Sequence, residues 1–244
     1  MAEFDKERFE SLMNTAVGCH VRGEYEQALD FGHMAYQVAP GGTTESGRAA
    51  RDIGARYDRL HKSEDAKNWL GEAFAIHNHI VEDMEDPTRE ALRERSVSAM
   101  YLGVIGLRRA INLMQHDVPI TNPEPIEFMR LTWLDLREAK TKASGINKRI
   151  DQYEINATRR ISIAETLLGN KKAGLVLGAF AVKRAFMSES PKLDTSNPEL
   201  ETMDRIRAKN KALIGGLAAI AINVLSSPAI KTKKLALKIA ERTL

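Results

Sequence analysis

Three arginines and one aspartate, Arg48, Arg51, Asp58 and Arg59, follow one another at spacings of three, seven and one. On a helix of about 3.6 residues per turn these spacings put all four on one face. A guanidinium presents planar paired N–H donors, so such a face suits an acidic peptide or a single carboxylate. The alternative is an ordinary solvated face on which Asp52, Asp58 and Glu64 balance the arginines. A second basic cluster joins Arg89, Arg93 and Arg95 to Arg159 and Arg160. Glu90, Glu94 and Glu154 lie at helical spacings from these residues, so intramolecular pairs account for it.

No other constellation carries chemistry. His77 and His79 could be drawn with Glu82 and Asp83 as a metal site, but residues two apart on a helix point away from each other. There is no His-Glu-x-x-His arrangement, and His20, His33, His61 and His116 are scattered. Cys19 is the single cysteine, which excludes an intramolecular disulfide framework and favours a reducing, cytoplasmic setting. It is read as a small core residue, not a nucleophile. Gly169-Asn170-Lys171-Lys172 is a helix-to-helix turn without the strand that a phosphate loop requires. The expectation is therefore a non-enzymatic protein with no catalytic residues, no metal and no cofactor.

The elements that must position the arginines are all helices. Apolar periodicity can be followed from Glu3 to Leu244, and no run alternates as a strand would. The spacing predicts ten helices, over 3–21, 24–39, 44–61, 63–82, 87–115, 123–143, 147–168, 170–186, 197–226 and 228–242. Pro40-Gly41-Gly42 ends the second, Pro87 opens the fifth at a first-turn position, and Gly145 closes the sixth. Residues 188–198, with Pro191 and Pro198, form the expected linker between an array over 1–187 and a C-terminal part over 199–244. In that part, 212–225 is apolar on nearly all sides yet shorter than the roughly 20 residues a bilayer span needs. The stretch from Ala229 to Ala240 is basic and amphipathic, suited to capping the array, to self-association or to an anionic membrane surface.

Two N-terminal stretches resemble tetratricopeptide (TPR) repeats. The better one has Ala50, Ile53, Gly54 and Tyr57 on a first helix, with Ala66, Leu70 and Ala73 on a second. The other keeps Ala28, Ala35 and Pro40 in register, while Leu12, Thr15, Ala16 and Cys19 fill its first-helix signature places. The resemblance covers residues 9 to 82. It implies stacked antiparallel helix pairs in a right-handed α-solenoid whose concave groove, lined by first helices, binds a protein or peptide. On that reading Arg48, Arg51, Asp58 and Arg59 lie on the groove wall. Met13, Val17 and Ala55 occupy the places where some members carry a Lys and Asn carboxylate clamp, so the resemblance does not extend to that activity. It also implies that Gly54 and Ala66 face each other where two helices cross.

Composition agrees with this architecture. Of 244 residues 43% are hydrophobic and only 6% aromatic, which favours helices packed through small side chains. Lysine and arginine number 36 against 33 aspartate and glutamate, for a formal charge of +3, so the chain is no polycation built for nucleic acid. The expected function is a helical scaffold binding a protein or peptide, with an acidic ligand and homo-oligomerisation as options. A peptide-sensing regulator and a nucleic-acid or membrane-surface binder are the alternatives. Reversing charge at Arg51 and Arg59 is expected to weaken binding and leave the fold intact.

Overall fold

A computed structural model describes residues 4–115, 124–142, 148–167 and 170–187, together with Leu217, Leu237 and Lys238. Eight helices run through the described residues. They are α1 (Lys6–Arg22), α2 (Tyr25–Val38), α3 (Thr44–Arg59), α4 (Ser63–Glu82), α5 (Arg89–Gln115), α6 (Glu124–Thr141), α7 (Lys148–Leu167) and α8 (Lys171–Met187). All eight coincide with the periodic segments to within three residues at either end. The helices expected over 197–226 and 228–242, the linker over 188–198 and Gly145 lie outside the described residues, apart from three isolated positions.

Local chemistry sets the boundaries. The Asp5 side chain accepts from Arg8 N at 2.9 Å and caps α1. That helix ends at Gly23, whose φ of 82° is open to glycine, with Glu24 N bonded back to Cys19 O at 2.9 Å. Thr43 and Ser46 exchange side-chain bonds with each other's backbone N–H at the start of α3, a capping box. One boundary corrects the sequence reading. Helix α5 begins at Arg89 and Thr88 Oγ1 accepts from Ala91 N, so the hydroxyl caps it and Pro87 precedes its first turn.

The chain forms two compact units, Met1–Ile105 and Gly106–Leu244. In the first, Phe9, Met13, Ala16 and Cys19 make the buried stripe of α1, and Ala28, Leu29, Gly32 and Ala35 that of α2. Cys19 is thus a core residue, as its type suggested. Helix α3 meets α4 through Gly54. A methyl on its Cα would come within 2.6 Å of Leu70 Cγ and 3.1 Å of Ala66 O, so the expected Gly54–Ala66 crossing is present. Ala66, Leu70 and Ala73 are fully buried there. Replacing Ala66 by Leu is expected to overpack the crossing and cost about 1–3 kcal/mol, read as a lowered urea midpoint at unchanged slope.

In the second unit α7 is buried on most sides, from Ile155 through Thr166, and receives α8 closely. Ser162 Oγ donates to Gly174 O at 2.6 Å, and Arg130 of α6 pairs with Glu165 at 2.5 Å. Leu237 is fully buried, and no described helix is long and apolar enough to cross a membrane.

Candidate functional site

The four residues of the arginine face all belong to α3, but their side chains do not converge. Arg48 Nη1 lies 2.9 Å from Glu10 Oε1 on α1, and its guanidinium carbon sits 5.7 Å from the centre of the Phe9 ring. Arg51 Nη1 reaches α5, 2.6 Å from Glu94 Oε2 and 3.4 Å from Glu94 O. The two arginines therefore bridge α3 to the first helices of the preceding and following pairs. Asp58 is half-buried and engaged, and Arg59 is exposed at the last turn.

Burial separates the two bridges. Arg48 and Glu10 are 33% and 37% exposed, open enough to exchange partners, whereas Arg51 is 17% and Glu94 only 3% exposed. Burial alone would raise the Glu94 carboxyl, yet the guanidiniums of Arg51 and Arg93 hold it down at about 2. Arg51 is thus a structural cation. Reversing its charge would set it against the buried Glu94 carboxylate, so that substitution is now expected to cost stability as well as any binding. The acids that balance Arg48 and Arg51 are Glu10 and Glu94, far from them in the chain and outside the set the sequence suggested, while Asp52 of that set pairs with Arg56.

Along α1 a concavity of about 770 Å³ is lined by Glu7, Glu10, Ser11, Asn14, Thr15, Gly18 and Arg22. Glu10 belongs both to this lining and to the Arg48 pair. At the C-terminal end of α1, His20 meets Tyr25 of α2 edge-on at 5.2 Å. Burial, then the charges of Arg56 and Arg59, push its imidazole down. Arg59 therefore lends its positive charge to the α1–α3 surface. The arrangement is a shallow, open polar surface carried by α1, with the half-exposed Arg48–Glu10 pair at its edge and the exposed Arg59 beyond the other end. It can hold an extended segment by exchangeable ion pairs and hydrogen bonds.

Several charged or titratable groups are buried in the core, and one of them, Arg56, was passed over by the sequence reading. Arg56 is fully buried and pairs with Asp52 one turn back. Its signal was its register, because 49, 53 and 56 follow the apolar stripe of α3. His77 continues the 66-70-73 stripe of α4, and its Nδ1 lies 2.9 Å from Ser98 Oγ inside the core. It is no metal ligand candidate beside the exposed His79, and among the described residues no group of three His, Cys, Asp or Glu could hold a metal ion. Arg93 of the second basic cluster pairs with Glu90 and Glu94, and Arg95 bonds Asn78 at 3.3 Å. Arg159 is buried, and its Nε and Nη1 have no hydrogen-bond partner among the described residues.

No family model matches the chain, and no curated protein matches it. Solved structures do. The chain is similar to nearly identical TPR-like repeats assigned to a kinesin light chain of Podosopora anserina, at 13% identity and a TM-score of 0.55, covering 97% of this chain and 93% of that one. A single-residue variant of the same repeats gives 13% identity and a TM-score of 0.56, with 97% and 92% covered. The helix pairs, the Gly54–Ala66 crossing and this likeness together show that the chain has a TPR-like helical repeat fold.

Proposed function

We propose that the chain is a non-enzymatic helical scaffold that binds a protein or peptide segment along the α1–α3 surface. The observation that carries the reading is the trough on α1 with the exchangeable Arg48–Glu10 pair at its edge. An incoming carboxylate would replace Glu10 at Arg48 and meet Arg59 farther along, so an acidic segment is the favoured ligand. Arg51 and Asp58 support the wall from within. The reading sets the scaffold in the cytoplasm, supported by the single, buried thiol. It also makes residues 199–244 a cap, with the buried Leu237 as support.

A photo-crosslinking residue in place of the exposed Asn14 tests this. In cells it is expected to capture one or a few discrete proteins, and the adducts are expected to vanish when Arg48 and Arg59 are both replaced by Ala. Absence of adducts, or adducts indifferent to those two arginines, would remove the trough as the binding surface.

A further inference from the structure

Helices α2 and α4 touch through their side chains and differ in charge from the rest of the chain. Together they carry Glu26, Asp30, Glu64, Asp65, Glu72 and Glu82 but one lysine, Lys67, and no arginine, in a protein whose formal charge is +3, and Lys62, just before α4, lies 5.9 Å from the centre of the Tyr57 ring. Across the same two helices runs a set of half-buried rings. Trp69 meets Tyr36 at 5.1 Å with the planes at 86°, and meets His33 at 5.1 Å and 71°. Tyr57 of α3 extends the set, 6.2 Å from His33, with its hydroxyl 3.5 Å from His33 Nε2.

A carboxylate completes the group. Tyr36 OH donates to Glu72 Oε1 at 3.3 Å. Burial and the adjacent Glu72 charge raise the Tyr36 hydroxyl, which keeps it a donor at neutral pH. A carboxylate has about four acceptor sites, so the exposed Glu72 can hold Tyr36 and still receive a guanidinium or ammonium. Aromatic rings attract such cations through their quadrupole, and a rigid aromatic group costs little ordering entropy at an interface.

We propose that the α2–α4 face is a second docking surface, which takes a basic segment of a partner protein, one arginine or lysine lying against Trp69, Tyr36 and His33 with Glu72 as its counter-charge. The occupant follows from charge. An acidic segment would meet Glu72 beside the rings on a net-negative pair of helices, whereas a basic one is attracted by them and finds its anchor on the half-buried rings. This surface is independent of the α1–α3 trough.

Only two tryptophans are present, so Trp133→Phe leaves Trp69 as sole reporter. In that background the probe is acetyl-Gly-Arg-Gly-Arg-Gly-amide, with a peptide carrying neutral citrulline for arginine as control. A saturable change in Trp69 emission is expected with the arginine peptide and none with the control. Glu72→Gln, at an unchanged thermal midpoint, should weaken the interaction by about fivefold, the scale of one exposed ion pair. Replacing Arg48 and Arg59 by Ala should leave the response intact. Equal responses to both peptides, or a response to neither, would overturn the proposal.

Discussion

Replacing Arg51 by Met is expected to destabilise the first unit by about 3 kcal/mol, the low end of what leaving one member of a buried pair alone costs. The low end applies because Arg93 still faces Glu94, 2.6 Å away, on the more exposed side. Arg48→Met is the control. Its partner Glu10 is 37% exposed and can return to water, so the loss should not exceed about 1 kcal/mol. The Arg51→Met, Glu94→Met double variant should recover most of the stability, since removing both charges leaves none buried unpaired. Urea unfolding followed by Trp69 emission in the Trp133→Phe background reads all three. Equal losses at Arg48 and Arg51 would show that burial does not separate the two bridges.

The second large effect is acid sensitivity centred on the same corner. Burial, followed by the Arg51 charge, pulls His77 down to about 4 from an ordinary value of 6.5. Below pH 6.5 the unfolded chain takes up a proton there that the folded chain refuses until about pH 4. Stability therefore falls as pH drops through that window, by about 3 kcal/mol. Glu94 acts in the same direction at lower pH. Its unfolded carboxyl protonates near 4.5 and its folded one only near 2, so a further loss of similar order runs between those values. Urea midpoints for the first unit should be level above pH 7 and decline steeply below pH 6.5. His77→Asn, which can still bond Ser98, should flatten the decline between pH 6.5 and 4. An undiminished slope in that variant would assign the acid effect to other groups.

Much of this fold is legible in the sequence. Gly54, Ala66 and Ala73 announced a close helix crossing because only small side chains permit one, and that constraint is local in sequence. The end of α2 was readable at Pro40-Gly41-Gly42 because helix breakers are likewise local in sequence. Thr88 was not, because a proline at a helix start and a threonine cap after it leave similar traces. The site was harder. Four charged residues on one face of α3 look alike in sequence, yet Arg51 is tied to Glu94, 43 residues away, and Arg48 to Glu10, 38 residues away. Partnership across that distance is set by which helices stack, and periodicity along one helix does not contain it. The aromatic set escaped notice for a related reason. His33, Tyr36, Tyr57 and Trp69 stand on three helices and become neighbours only through packing.

The α1–α3 trough carries the functional account, and a charge exchange tests it most directly. The segment captured at Asn14 is to be titrated against the wild type and against a variant carrying both Arg48→Glu and Glu10→Arg. The exchange keeps an ion pair between α1 and α3, so the thermal midpoint should hold, but it moves the guanidinium from one wall to the other. The account predicts that affinity for an acidic segment falls by about tenfold, equivalent to about 1.4 kcal/mol. A folded exchange variant that binds the segment as tightly as the wild type would contradict it.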